Sequence, residues 1–530
     1  MKTFELIAKT FQGLEEILAK ELTELGADDI QIGRRMVSFT GNKMMMYRAN
    51  FHLRTAIRIL KPILHFNAKD ADEIYDIVKK RIKWEDYMDV NTSFAVDSVV
   101  YSDEFRHSKF VAYRVKDAIA DYFREKEGKR PSVQVTNPDI TLHIHIAQER
   151  CTLSLDSSGE SLHRRGYRQE AVEAPLNEVL AAGMILQTGW QGECDFIDPM
   201  CGSGTLPIEA ALIARNIAPG VFRKEFAFEK WADFDQEMFD EIYNDDSAER
   251  EFTHHIYGYD IDWKAVNIAS NNVRAAGLTK DITIERRDVA DFVEPAGRAI
   301  MVTNPPYGER ITTDDLLGLY RTIGERLKHA FKGNDAWVLS YRKECFDKIG
   351  LKASVIIPFF NGALPCEFRK YELFDGKFKE FRENGEELDK SERPTGERRP
   401  LREREERAAR TFGMKREEER PRRFNDDNRR GFGDDRRRIN KREMAEHNDR
   451  ERYEEDTNYS TLYERHHEFA KMQAARERKA RPQGEKREYR GGDKRDFRGG
   501  KPAADKRSQR AQRFAGKPGS NKGKGGKRNN

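Results

Sequence analysis

The residues Asn304-Pro305-Pro306-Tyr307-Gly308 follow an apolar run, 299–303, that reads as a strand. Two successive prolines stiffen a turn and remove two backbone donors, so its carbonyls are left to accept hydrogen bonds. Asn304 adds a side-chain carbonyl, and Tyr307 adds a flat aromatic face. Together they describe a receptor for an aromatic ring that carries an exocyclic amine. A plain tight turn is the blander reading, and it weakens beside two further motifs.

The first of these is Asp195-Phe196-Ile197-Asp198-Pro199-Met200-Cys201-Gly202-Ser203-Gly204-Thr205. A strand ends, a glycine turn follows and a helix begins. Glycines let the backbone approach a ligand closely, and such turns lie at the carboxyl ends of strands. The run matches neither GxGxxG nor a phosphate-binding loop, since no Lys-Ser/Thr follows Gly204. Asp198 also disfavours a polyphosphate. The second is Gly258-Tyr259-Asp260-Ile261-Asp262, at the end of the next strand. An acid there can hold both ribose hydroxyls of a nucleoside, or it can cap the helix that follows. Asp288 sits after a third strand, where an acid could bind an adenine amino group.

Strands and helices alternate over 165–385, which predicts βαβ units and a mostly parallel sheet. The strands are expected at 196–197, 256–259, 283–285, 299–303, 336–340 and 354–357. An acidic, aromatic insertion at 219–253 has no counterpart in a minimal unit. Ahead of this lies a small α+β unit, 1–65: strand 3–8, helix 13–25, one strand 30–39 and a helix 42–60. A second α+β unit, 66–160, has a helix at 71–80, a strand at 93–100, a helix at 109–126 and a hairpin turning at 148–149. Lys109, Arg114, Arg124, Lys126, Lys129 and Arg130 are spread around that second helix and its end. Taken alone they read first as a solvated helix face, and the alternative is a surface for RNA phosphates.

The chain has 530 residues, 37% hydrophobic and 35% charged, with a formal net charge of +4. That charge hides two unlike parts. Residues 391–530 carry 43 Lys+Arg against 27 Asp+Glu, while 1–390 carry 53 against 65. The last 140 residues contain no Val or Trp, one Ile and two Leu. Such a stretch cannot bury enough apolar surface to offset its ordering entropy, so 386–530 reads as a disordered, basic tail. Arg490 and Arg498 each open an Arg-Gly-Gly triplet behind an aromatic residue, a pattern suited to phosphate attraction and base stacking. The five cysteines form no CxxC pair, and the 12 histidines show no metal spacing, so neither a disulfide framework nor a metal site is expected. No 18-residue apolar run suggests a membrane span, and the early acids of the N-terminus argue against a signal peptide. A soluble, cytoplasmic protein is the expectation.

In this order, DPMCGSGT, GYDID and NPPYG resemble S-adenosylmethionine-dependent amino-methyltransferases of the Rossmann-like class. Residues 1–160 resemble a ferredoxin-like plus THUMP RNA-capture module that ends in Asp156-Ser157-Ser158-Gly159 and Leu162-His163-Arg164-Arg165-Gly166-Tyr167-Arg168. Ala174-Pro175-Leu176-Asn177-Glu178 and Asn361-Gly362 with Cys366-Glu367 are similar to the bacterial RlmL type, which makes N2-methylguanine in 23S rRNA. The resemblance covers roughly 1–385. It implies an α/β fold: a ferredoxin-like domain (1–65), a THUMP domain (66–160) and a Rossmann-like methyltransferase domain (161–385), followed by the tail. It implies S-adenosyl-L-methionine held by Asp198, Pro199, Gly202, Gly204 and Thr205 at the methionine end, Asp260 at the ribose and Asp288 at the adenine. Asn304 and Pro305 would accept from the guanine amine, Pro306 would brace the turn and Tyr307 would stack on a flipped base. The implied partner is 23S rRNA or the assembling large ribosomal subunit, with no metal and no membrane. Some RlmL enzymes carry a second methyltransferase domain where this chain has its tail, so no N7-guanine activity is expected. Methylation of tRNA guanine-N2 or DNA adenine-N6, and a noncatalytic rRNA-binding role, are the alternatives. Cys201 and Cys366 are expected to be structural thiols.

Overall fold

A computed structural model of the chain describes residues 2–105, 107–306, 313–362 and 364–374. Tyr307, Arg490, Arg498 and the low-complexity tail lie outside the described residues.

The N-terminal part runs β1 (Phe4–Lys9), α1 (Glu15–Leu25), β2 (Asp28–Gly33), β3 (Met36–Gly41), α2 (Lys43–His52) and β4 (Arg58–Asn67). It continues through α3 (Ala71–Arg81), β5 (Ser93–Tyr101), α4 (Ser108–Glu127), β6 (Ser132–Val133), β7 (Ile140–Ala147) and β8 (Arg150–Asp156). All eight strands form one sheet in the order β2-β3-β1-β4-β8-β7-β5-β6. β4 joins the two halves: its first residues pair with β1, and Leu60 to Asn67 pair with β8. Helices α3 and α4 bury Ile74 and Val78, and Val111, Val115 and Ile119.

Two of the sequence expectations are corrected here. The strand expected at 30–39 is a hairpin, because the chain reverses at Arg34-Arg35, with Arg35 in the left-handed region at φ 56°. The helix expected to reach residue 60 stops at His52. Glu21 of α1 captures the backbone N–H groups of Arg54 (2.8 Å) and Thr55 (3.0 Å), which pulls the chain out of the helix and into β4.

The second part runs α5 (Glu178–Thr188), β9 (Asp195–Asp198), α6 (Thr205–Ala214), α7 (Gln236–Asn244), β10 (Ile256–Asp260), α8 (Trp263–Ala275) and β11 (Ile282–Arg286). It ends with β12 (Ala299–Thr303), α9 (Thr313–Ala330), β13 (Asp335–Ser340), α10 (Lys343–Ile349), β14 (Val355–Asn361) and β15 (Leu364–Glu372). The seven strands order β11-β10-β9-β12-β13-β15-β14. The first five are parallel, and the β14–β15 hairpin closes the edge antiparallel to β13. Every residue of β12 is buried, with Ile300 and Val302 in one hydrophobic cluster and Ala299 and Met301 in the other. A parallel sheet covered on both faces has this signature.

The insertion has a structural role. Phe226, Phe228, Phe239 and Tyr243 pack against Tyr47 and Phe51 of α2, and the Tyr47 and Phe228 rings stack at 4.3 Å. The larger hydrophobic cluster therefore runs without a break from the first sheet into the second.

Candidate active site

β9 lies at the centre of the parallel sheet, with β10 on one side and β12 on the other. Ligands bind at such a point, outside the carboxyl ends of the strands, where the crossovers diverge. The three motifs of the sequence sit there, one at the end of each of these strands.

After Asp198 the chain turns through Gly202 (φ 54°) and Gly204 (φ 80°) into α6. A Cβ on Gly204 would lie 3.2 Å from the Ala269 Cβ of α8, so backbone geometry and packing both call for glycine. The turn is pinned by Cys201 N–H donating to the Tyr259 carbonyl (2.8 Å) and Gly204 N–H to the Cys201 carbonyl (2.8 Å). The first amides of α6 have no partner within the helix.

Asp260 ends β10, and its carboxylate accepts the Gly202 N–H at 2.9 Å and the Asp262 N–H at 2.9 Å. Asp262 caps α8 by accepting from Lys264 N–H, so Asp260 is free of that task. Burial raises the pKa of Asp260. Asp288 follows β11 and accepts the Ala290 N–H at 2.9 Å. Its neighbour Arg287 donates its backbone N–H to the Asp260 carbonyl at 3.0 Å, which sets Asp288 beside Asp260.

Asp198 is 1% exposed and accepts from Thr303 Oγ1 at 2.9 Å and from Met200 N–H at 3.2 Å. Burial pushes its pKa up to about 7, and the Asp260 charge adds to the rise while the hydrogen bonds oppose it. Thr303 is the last residue of β12 and immediately precedes Asn304. The register of β12 on β9 pairs Met301 with Ile197, so Asn304 leaves its strand level with the turn that follows Asp198. Asn304 is half-buried, Pro305 is buried and Pro306 is exposed. The structure thus brings Asp198, Pro199, Gly202, Gly204, Asp260, Asp288, Asn304, Pro305 and Pro306 to the carboxyl-end edge of four adjacent strands, β11, β10, β9 and β12.

Thr205 differs in part. Its hydroxyl accepts from Arg168 Nη2 at 2.9 Å, and Arg168 also holds the Leu176 carbonyl (2.9 Å) and Glu178 (3.1 Å). Thr205 is buried at the start of α6. Neither Thr303 nor Arg168 was singled out as a site residue from sequence, because their partners lie 105 and 37 positions away.

Of the basic residues, Lys109, Lys129 and Arg130 are exposed. Arg114 is taken by Asp72 (2.6 Å) and lies over the Tyr75 ring (4.4 Å), so it fastens α4 to α3. All five cysteines are free and buried, and burial lifts the Cys201 thiol well above its ordinary pKa. Among the described residues, no group of three or more His, Cys, Asp or Glu could hold a metal ion. No helix among them is long and apolar enough to cross a membrane.

Residues 165–370 match the RMKL-like methyltransferase domain, 68–156 match the THUMP domain and 5–60 match the RlmL ferredoxin-like domain. A Synechocystis sp. protein described as an RNA methyltransferase is 39% identical over 370 residues, which cover 69% of this chain and 96% of that protein. The chain belongs to the RMKL-like methyltransferase family. Family membership carries the coarse activity, S-adenosylmethionine-dependent methyl transfer to RNA. The ribosomal RNA large subunit methyltransferase K/L of Syntrophotalea carbinolica is 41% identical over 381 residues, covering 69% of this chain and 53% of that protein. The chain therefore spans about half the length of the K/L relatives in this RMKL-like family. Among solved structures, SMU.472, a methyltransferase-family protein complexed with SAH, is similar with a TM-score of 0.64 and 30% identity, covering 71% of this chain and all of that one.

Proposed function

We propose that the chain methylates the exocyclic N2 amine of a guanine in 23S rRNA, by direct transfer to a base flipped out of its helix. The observation that carries this reading is the hydrogen bond from Thr303 to Asp198. It locks the proline corner against the glycine turn, so that an amine acceptor and a donor cradle share one crevice.

The crevice fits S-adenosylmethionine. Gly202 and Gly204 adopt backbone conformations that keep the turn free of side chains, and Asp260 retains lone pairs for ribose hydroxyls beyond those used on Gly202 and Asp262. In this reading Asp288 accepts from the adenine amine. When bound, the donor supplies an electrophilic methyl group on a positively charged sulfur.

Asn304 Oδ1 and the Pro305 carbonyl accept the two N–H bonds of the guanine amine and aim its weak lone pair into the crevice. Holding two reactants in line supplies up to about 7–11 kcal/mol in ideal cases, so positioning is most of the chemistry. Stacking by Tyr307 contributes about 1–3 kcal/mol per base, set against a few kcal/mol for base extrusion. No covalent nucleophile is required. The buried, protonated thiol of Cys201 is unsuited to serve as one.

The test is transfer of labelled methyl from S-adenosylmethionine to rRNA from a strain lacking the modification. Label at a guanine N2 in 23S rRNA supports the assignment, and label confined to tRNA defeats it. Asn304→Ala is expected to lose most turnover while keeping donor affinity. Undiminished methylation by that variant points instead to a noncatalytic assembly role.

A further inference from the structure

A stretch of chain with neither helix nor strand, residues 169–172, crosses the glycine turn on its way to α5. Its approach is fixed from the N-terminal side, where Arg165 and Tyr167 both bond Glu209 of α6 (3.3 and 3.0 Å). The stretch itself lacks a ladder of backbone hydrogen bonds. It is tied down by side chains instead.

Asn272, on α8, is 0% exposed and does most of the tying. Its Oδ1 accepts the N–H groups of Gln169 (2.9 Å) and Glu170 (3.3 Å). Its Nδ2 donates to the Glu170 carbonyl (2.9 Å) and to the Ser203 carbonyl inside the glycine turn (3.0 Å). An amide side chain has two donors and about two acceptor sites, so the capacity of Asn272 is fully used. Ser203 adds one tie, its Oγ accepting the Val172 N–H at 2.9 Å. Val172 Cγ2 then lies 3.7 Å from where a Cβ on Gly202 would stand. One buried side chain therefore holds the crossing stretch and the turn in register.

We propose that Asn272 is a positioning residue for the methyl donor: it clamps residues 169–172 over the Gly202–Gly204 turn, so that this strap walls the donor pocket and sets donor affinity. The inference rests on the reading of the glycine turn as the donor cradle. Asn272 itself touches neither donor nor RNA. Its effect passes through backbone it holds, so the loss on removing it falls on donor binding and leaves the amine-orienting corner at Asn304 intact.

The experiment uses the full chain with Asn272→Ala and, separately, Ser203→Ala. Calorimetry measures the dissociation constants of S-adenosylmethionine and S-adenosylhomocysteine, and steady-state methylation measures KM for donor, KM for RNA and kcat at saturating donor. Asn272→Ala is expected to raise the dissociation constants and the donor KM about tenfold or more, with RNA KM and kcat changed by no more than about twofold to threefold. Ser203→Ala, which deletes one tie, is expected to raise the dissociation constants about threefold. A folded Asn272→Ala chain with wild-type donor affinity overturns the proposal, as does a fall in kcat with donor affinity unchanged. Should Asn272→Ala not fold, unaltered donor affinity in Ser203→Ala overturns it. A wild-type chain that binds neither probe refutes the donor-cradle reading instead, so the two failures are distinguishable.

Discussion

The carboxylate of Asp260 accepts the backbone N–H of Gly202 at 2.9 Å, joining the end of one strand to the turn that follows its neighbour. The same carboxylate accepts Asp262 N–H, while Asp262 caps α8. These two acids, two positions apart, thus separate into one that shapes the crevice and one that starts a helix. Asp260→Ala would orphan the Gly202 amide and remove the acceptor proposed for the ribose. Hydrogen bonds to charged groups are worth about 1.5–3 kcal/mol each. Donor affinity is expected to fall about 10- to 100-fold, read by calorimetry. Asp262→Ala is expected to cost about 1 kcal/mol of stability as a lost helix cap, with donor affinity nearly unchanged. Equal losses of affinity in both variants would contradict this division of labour.

Asp198 gives a pH dependence with a definite sign. Burial raises its folded pKa from the ordinary 3.8 to about 7. In the folded state the carboxyl stays protonated up to near pH 7, whereas in the unfolded chain it ionises from about pH 4. The unfolded state therefore binds fewer protons across that window. The contribution of this group to stability is fully present below pH 4 and is lost as pH rises to 7, at roughly 1.4 kcal/mol per pH unit at most. Asp198→Asn keeps an acceptor for Thr303 and Met200 but cannot ionise. Without donor, the stability of this variant relative to wild type is expected to increase between pH 4 and 7 and then level off. Chemical denaturation at several pH values measures it, and a constant difference would show that Asp198 ionises normally.

Gly204 tests the turn itself. Its φ of 80° disfavours any side chain, and a Cβ would press on Ala269 at 3.2 Å. Gly204→Ala is expected to cost about 1–2 kcal/mol from backbone conformation, with a further term from displacing α8. Because the turn has to move, donor affinity should fall with stability. A thermal melt combined with donor titration checks both, and retention of both would mean that the turn adapts at no cost.

Much of this crevice was legible in the chain because βαβ alternation brings strand ends together. Asp198, Asp260 and Asn304 each follow a short apolar run, and crossovers place such ends side by side. What escaped was set by distant partners. The helix from Asn42 looked long enough to reach Leu60, yet Glu21 takes the amides at Arg54 and Thr55. Strand β15, with a proline and four charged residues in nine, forms because β13 and β14 flank it on both sides. Arg114 pairs with Asp72 across two helices, a contact that no local pattern announces. In Thr205 the residue type was informative and the direction of its hydroxyl was not, since Arg168 decides that.

The aromatic insertion is the remaining piece whose purpose is visible only in three dimensions. Phe228 is fully buried, its ring 4.3 Å from that of Tyr47 at an interplanar angle of 22°. The Tyr47 hydroxyl accepts the N–H of Asp235, which in turn caps α7 by accepting from Met238. This ring stack and hydrogen bond fasten the insertion to α2 of the N-terminal module, together with the contacts of Phe226, Phe239 and Tyr243 on Tyr47 and Phe51 and the ion pair of Lys43 with Asp233. Phe228→Ala removes the stack and leaves a cavity, at a cost of about 3–5 kcal/mol locally. The glycine turn lies on other elements, so donor affinity should survive within about twofold. Amide hydrogen exchange is expected to accelerate in α2 and α7 while the parallel sheet stays protected, because local opening requires loss only of the contacts that hold that segment. Uniform acceleration across the whole chain would show that the insertion supports the parallel sheet as well. Unchanged exchange in α2 and α7 would show that the ring stack is not what fastens them.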